Sequence, residues 1–211
     1  MAQDEEQAVE LLKEIANLRQ DIDIHRIIGL NRDAIEVSEL SSAFFGHLQF
    51  LAHHSIALRI CKIYEPPNRF ELNSIPGAIA NLPETLVSSN HEATLKDFAS
   101  KYGAEIATDP RDTLRAALQR FVNANSEPLA RLREFRNKAA AHSEADFRVT
   151  ALPSHDAFEN FFDFAKDAYG TMRLAFHGVY PALFHRKVGS GLHRLLKAGG
   201  IPDAKLLFPR E

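Results

Sequence analysis

Residues 132–146 read LREFRNKAAAHSEAD. On an ideal helix at about 100° per residue, Leu129, Leu132, Phe135, Ala139 and Ala140 fall on one face. Arg136 falls inside that same face. An arginine among apolar residues is the informative exception, because Arg is almost never buried without a partner. It must either meet an acid or line a crevice where its charge is used. His142 lies six residues on, about 120° around the wheel and about one and a half turns away. On a straight helix the two side chains cannot touch. They share a site only if the helix bends near Ala139–Ala141, or if a second copy of the segment faces the first across a dimer axis.

Outward from this stretch, the dominant period is helical. Ala8, Leu11, Leu12, Ile15, Ala16, Leu18 and Ile22 predict a long amphipathic helix over residues 3–28. Ser38 is placed to cap a second long helix carrying Phe44, Phe45, Leu48, Leu51, Ala52, Ile56, Leu58, Ile60 and Ile63, which Pro66-Pro67 stops. Asn73 is placed to cap a short helix over Ile75–Asn81. Further helices are expected over about 91–102, ending at Gly103, and over about 111–124, opened by Asp109-Pro110. Ser126 is placed to cap the helix that carries Arg136. Pro153-Ser154 introduces a last long helix, whose stripe of Phe158, Phe161, Phe162, Ala165, Tyr169, Met172 and Phe176 reads as core or dimer interface. No strand, repeat or low-complexity tract interrupts the pattern. The expectation is an all-α antiparallel bundle over residues 1–184, with a basic tail over 185–211 that packs on the domain or trails from it.

Bulk properties narrow the class. The chain has 211 residues, 45% of them hydrophobic and 25% charged, the balance of an ordinary globular protein. No apolar run approaches the roughly 20 residues of a membrane helix. The N-terminus, MAQDEEQAVE, is acidic rather than basic-then-apolar, so no secretory signal is read and the cytoplasm is the expected compartment. The single Cys61 excludes an internal disulfide and any Cys-rich zinc site. A net charge of −3 and a pI near 6.4 are not the footprint of a general nucleic-acid binder. Charge is nevertheless uneven. Residues 1–40 are mainly acidic, whereas Arg186, Lys187, Arg194, Lys197, Lys205 and Arg210 make the end of the chain basic.

The run from Arg136 and Asn137 to His142 and Ser143 resembles the signature of the HEPN superfamily: arginine, a polar residue, then histidine after a gap of four to six. The form Arg-Asn-Lys-x-x-Ala-His-Ser resembles in particular its abortive-infection, AbiU-like branch. The helix LAHHSIALRICKIYE followed by a loop and FELNSIPGAI is similar to that branch too, so the resemblance covers roughly residues 40–146. The bare spacing is common in this chain: Arg19/His25, Arg136/His142, Arg148/His155 and Arg186/His193 all approximate it. Requiring Asn directly after Arg leaves only Arg136.

The resemblance implies a metal-independent endoribonuclease, with no cofactor, whose site forms at a homodimer interface from two copies of the motif. In that reading His142 activates the ribose 2′-OH or protonates the leaving 5′-oxygen. Arg136 stabilises the crowded phosphate and Asn137 orients His142 or a phosphate oxygen. The product carries a 2′,3′-cyclic phosphate. Arg133, Lys138 and Ser143 are the flanking candidates for contact with RNA, although Lys138 also forms an i, i+4 pair with Glu134 that suits a solvated face. The partners implied are a second copy, RNA and an antitoxin protein, in phage defence or a toxin–antitoxin setting. Two alternatives stay open. One is an inactive HEPN dimer that holds nucleotide, RNA or a partner protein. The other is a helical adaptor using the Phe158–Phe176 stripe. His47, His53 and His54 lie on one helix with no carboxylate to complete a metal pair, and His155 with Glu159 has no third ligand nearby, so no metal is expected.

Overall fold

A computed structural model describes residues 2–38, 40–66, 73–88, 91–141, 153–179 and 187–205. The chain is an all-α bundle, with nine helices and no strand among the described residues. They are α1 (Ala2–Leu30), α2 (Arg32–Val37), α3 (Ser42–Ile63), α4 (Ile75–Ala80), α5 (Glu92–Lys101), α6 (Pro110–Ala124), α7 (Ser126–Ala141), α8 (His155–His177) and α9 (Lys187–Ala198).

The apolar stripes read from the sequence build the core. Leu11, Ile15, Leu18 and Ile22 of α1 meet Ile56, Ile60 and Ile63 of α3, Leu129, Leu132 and Phe135 of α7, and the aromatic side of α8. Phe158, Phe161, Phe162, Ala165, Tyr169, Met172 and Phe176 are all buried there. This corrects the adaptor reading, because a stripe already covered by the protein's own helices offers nothing to a partner. Tyr64, Phe121, Phe161 and Phe164 stack around one another, and the Tyr64 hydroxyl donates to the Phe161 carbonyl. That bond meets the demand of a buried phenol.

Capping differs from expectation at three helices. Ser41, not Ser38, caps α3, its hydroxyl accepting from Phe44 N. Ser38 instead closes α2, a helix not anticipated, by donating to the Ile35 carbonyl. Ser74, not Asn73, caps α4. Ser126 is the first residue of α7, with Asn125 alone separating it from α6. Several residues in each stretch have capping side chains, and packing chooses which one sits one position before the buried turn. Asp109 and Ser154 cap α6 and α8 as expected. Gly103 and Gly178, at φ +67° and +64°, take the left-handed conformation that ends α5 and α8.

Helix α9 packs against α1. Leu196 of α9 is buried with Ile27, Ile28, Ile35, Phe45 and Ile201 in a second, smaller core. Asn31 fastens it by donating to the Ile27 and Lys205 carbonyls and accepting from Lys205 N.

Candidate functional site

Helix α7 is held by Leu129, Leu132 and Phe135, which are buried against α3 and the rest of the core. The Phe135 ring meets the rings of His53 and His54 on α3 edge-on, with centroids 5.4 and 5.9 Å away. This fixes how far the next residue can turn. Arg136 is left at the border, its side chain 26% exposed, where Nη1 pairs with Glu65 Oε2 at 3.1 Å. Its Nε donates to Asn137 Oδ1 at 3.2 Å. Of the two fates open to an arginine on this face, Arg136 meets an acid without being enclosed by it. Glu65, just past the end of α3, is itself part-exposed.

The structure brings Arg136 and Asn137 into direct contact. Arg133 and Asn137 are exposed, and Lys138 pairs with Glu134 as the i, i+4 spacing suggested. His142 and Ser143 lie outside the described residues. Helix α7 is helical through Ala141, up to the residue before His142. Beneath the site, burial pushes the Cys61 thiol up to about 11, against the opposing pull of Arg136 and Arg133. Cys61 is therefore a neutral, buried thiol rather than a nucleophile. Among the described residues Arg136 Nη2 has no hydrogen-bond partner, so one side of the guanidinium fork is uncommitted. A surface concavity of about 530 Å³, lined by Ile28, Arg32, Ile35, Phe45, Gly46 and Gln49 among others, lies away from this site.

A second polar cluster, which sequence reasoning did not assemble, is buried between α1, α3 and α8. Arg19 is 3% exposed, pairs with Asp23 and Glu159, and lies over the Phe162 ring at 5.0 Å. Next to it, His25 Nε2 and His53 Nδ1 are 3.4 Å apart, His155 stacks parallel to His25, and His155 Nε2 lies 3.2 Å from Glu159 Oε1. Burial, and then neighbouring histidines, push the imidazoles of His25 and His53 down to about 4. Burial also pushes the Glu159 carboxyl up, but His155 and Arg19 outweigh it and bring it to about 2. Near neutrality the cluster therefore holds two neutral imidazoles beside a compensated ion network. Among the described residues no group of three or more His, Cys, Asp or Glu is placed to hold a metal ion. The sequence signal for the cluster was the Arg19/His25 spacing together with His155/Glu159. Only packing shows that α1 and α8 bring the two pairs together.

The other instances of the spacing have structural explanations where they are described. His155 belongs to the buried cluster, and His193 Nε2 is 2.9 Å from the Ala204 carbonyl at the α9 terminus. Arg148 and Arg186 lie outside the described residues.

An all-helical bundle that presents Arg-Asn on a core-anchored helix, with histidine five residues further on, has the form of a HEPN-superfamily domain. The family model HEPN_AbiU2, described as AbiU2, matches residues 4–186, and the chain belongs to that family. No curated protein and no solved structure gives a match. No helix among the described residues is long and apolar enough to cross a membrane.

Proposed function

We propose that this protein is a metal-independent endoribonuclease whose site combines Arg136, Asn137 and His142 from two copies of the chain. The observation that carries the reading is the state of Arg136. Its guanidinium is held on two sides, by Glu65 and Asn137, and is still part-exposed with Nη2 uncommitted among the described residues. Arg59, with a similar 25% exposure, is by contrast compensated by two carboxylates, Glu14 and Asp21. The planar fork of Arg136 suits two non-bridging phosphate oxygens, where charge peaks in the transition state. His142 supplies the proton transfers, a task for which an imidazole is suited because its ordinary titration lies near neutrality. The 2′-oxygen attacks phosphorus, the 5′-oxygen leaves with a proton, and a 2′,3′-cyclic phosphate results. The positive charge a metal would bring is already present in Arg136. Arg133 lies on the exposed side of α7 next to this site, where it suits contact with the RNA backbone. A role in phage defence, or as a toxin held by an antitoxin, fits the family membership.

A second reading rests on the Arg136–Glu65 pair. If RNA does not displace Glu65, the motif serves to bind nucleotide, RNA or protein in an inactive dimer. Labelled single-stranded RNA incubated with the protein in EDTA separates the two. Cleavage that disappears in both Arg136→Lys and His142→Ala supports the nuclease. Loss of cleavage in EDTA with rescue by magnesium, or no cleavage by a folded wild-type dimer, excludes it.

A further inference from the structure

Helix α3 is apolar on both sides, although one of those sides faces solvent. Phe45, Ala52, Ile56, Ile60 and Ile63 point into the bundle. On the opposite side Phe44, Phe50, Leu51 and Leu58 are each between 42% and 52% exposed. A helix that is hydrophobic all round belongs in an interior. The exposed residues are not scattered. Phe44, His47, Leu51, His54 and Leu58 succeed one another at alternating steps of three and four, the seam along which two helices pack at a shallow angle. Phe50 flanks this seam, with its ring stacked on His54. From Leu40 to Leu58 there is no Asp, Glu, Lys or Arg, in a chain that is 25% charged.

We propose that the exposed face of α3 is the two-fold surface on which a second copy of this chain docks, with α3 against α3. The proposal rests on the nuclease reading only for the expectation of a dimer, and adds which surface makes it. A two-fold interface sets the same patch against itself, so any unbalanced charge in it meets its like. This face carries no Asp, Glu, Lys or Arg. It therefore suits its own copy and has no charged feature with which to select a different protein. Size agrees. Four large side chains, each about half exposed, offer roughly 300–450 Å² per copy at about 150–250 Å² for a fully buried aromatic. That is about half of the roughly 800 Å² per partner in a stable interface, before His47, His54, Ser42 and Ala43 are added. The face also leads to the motif: His54 touches Phe135, the residue before Arg136. Pairing α3 with α3 thus draws the two α7 helices toward the same interface.

The test is the mass of the full chain by analytical ultracentrifugation over about 1–50 µM. Three proteins are compared: wild type, Leu51→Glu/Leu58→Glu, and a control, Val37→Glu, on the exposed end of α2. Circular dichroism establishes that each is folded. Wild type and control are expected to be dimers. The double variant should be a folded monomer, its dissociation constant raised at least about a hundredfold by four buried charges without partners. A wild-type monomer overturns the proposal, and so does a double variant that remains a dimer. If the double variant does not fold, Leu51→Cys decides the matter with a short bis-maleimide, since Cys61 is buried. Covalent dimer at Leu51→Cys but not at Val37→Cys supports the surface, and equal or absent linkage at both overturns it. RNA cleavage is assayed on the same samples. A dimer through α3 that does not cleave removes the nuclease reading and keeps the surface. A double variant that remains a dimer and still cleaves removes the surface and keeps the nuclease reading.

Discussion

Arginine followed by histidine six positions later occurs in the sequence from Arg19, on α1, and again from Arg136, on α7, and the two arginines live in opposite circumstances. Arg19 is 3% exposed, has Asp23 and Glu159 as partners and lies over Phe162. Its charge is compensated twice and its guanidinium is enclosed, even though Nε has no hydrogen-bond partner among the described residues. Arg136 is 26% exposed and has one carboxylate, Glu65, which is itself 35% exposed. Spacing along the sequence is the same in both. Burial and the number of opposing charges separate an arginine that holds helices together from one that can exchange its partner for a phosphate.

The sharpest way to break this contrast is to remove each arginine and read stability and cleavage separately. Arg136→Ala should cost at most about 1 kcal/mol in urea unfolding, as for a part-exposed ion pair, and should abolish cleavage. Arg19→Ala should cost about 3–5 kcal/mol, because it leaves Asp23 and Glu159 without their shared cation in a largely buried setting. Equal stability losses at the two positions would remove the distinction.

His142→Ala tests the other half of the Arg136/His142 pair. A positioned acid or base contributes about 10²–10⁴-fold, so turnover should fall by that factor while the unfolding midpoint stays put. On α1, His25→Gln should leave the turnover of the remaining folded protein within about twofold, since general acid–base catalysis needs contact with the reacting group.

The buried cluster should also make stability fall in acid. The folded-state values of His25 and His53, about 4, lie below their ordinary 6.5. The unfolded chain therefore takes up protons first as pH falls. Stability should be full above about 6.5 and decline until about 4, by on the order of 2–4 kcal/mol for the two imidazoles together. Glu159, at about 2 against an ordinary 4.5, adds a second loss between those values. His54 and His155, with Arg19, Arg26 and Asp23, are the other titratable or charged groups around the cluster. Urea midpoints measured from pH 7.5 to 3 should show this slope. The double variant His25→Gln/His53→Gln should flatten its upper part, and a wild-type midpoint constant from pH 7 to 4 would show that the imidazoles are not held neutral.

The smallest expected effect is at Glu65. Glu65→Gln removes the competitor for Arg136 and should change stability by less than about 1 kcal/mol. RNA binding should tighten, with a steeper dependence on salt as one more cation is free to meet phosphate. Unchanged binding would mean that the Arg136–Glu65 pair is not exchanged for RNA.

Much of the architecture was legible because it is local. The 3.6-residue period of Leu11, Ile15, Leu18 and Ile22, and of Phe158 to Phe176, places helices and their buried faces without reference to anything distant. Asp109-Pro110 and Ser154 mark helix starts for the same reason. The family, too, could be read from one contiguous run, Arg136-Asn137 through His142-Ser143. The α3 stripe shows where periodicity stops being sufficient. Phe44, Leu51 and Leu58 carry the hydrophobicity of core positions, and their exposure became visible only when the other face of α3 was found filled by α1, α7 and α8.

What the sequence determined by itself is therefore the all-helical class, most of the core and the motif that defines the family, each encoded within a few turns of one helix. Which acid meets Arg136, which arginine is neutralised, and which histidines are held uncharged were decided by tertiary structure alone. Glu65 stands 71 positions from Arg136, and Glu159 stands 140 from Arg19. Charge interactions at such separations depend on distance and burial in space, and neither is written in the order of the residues.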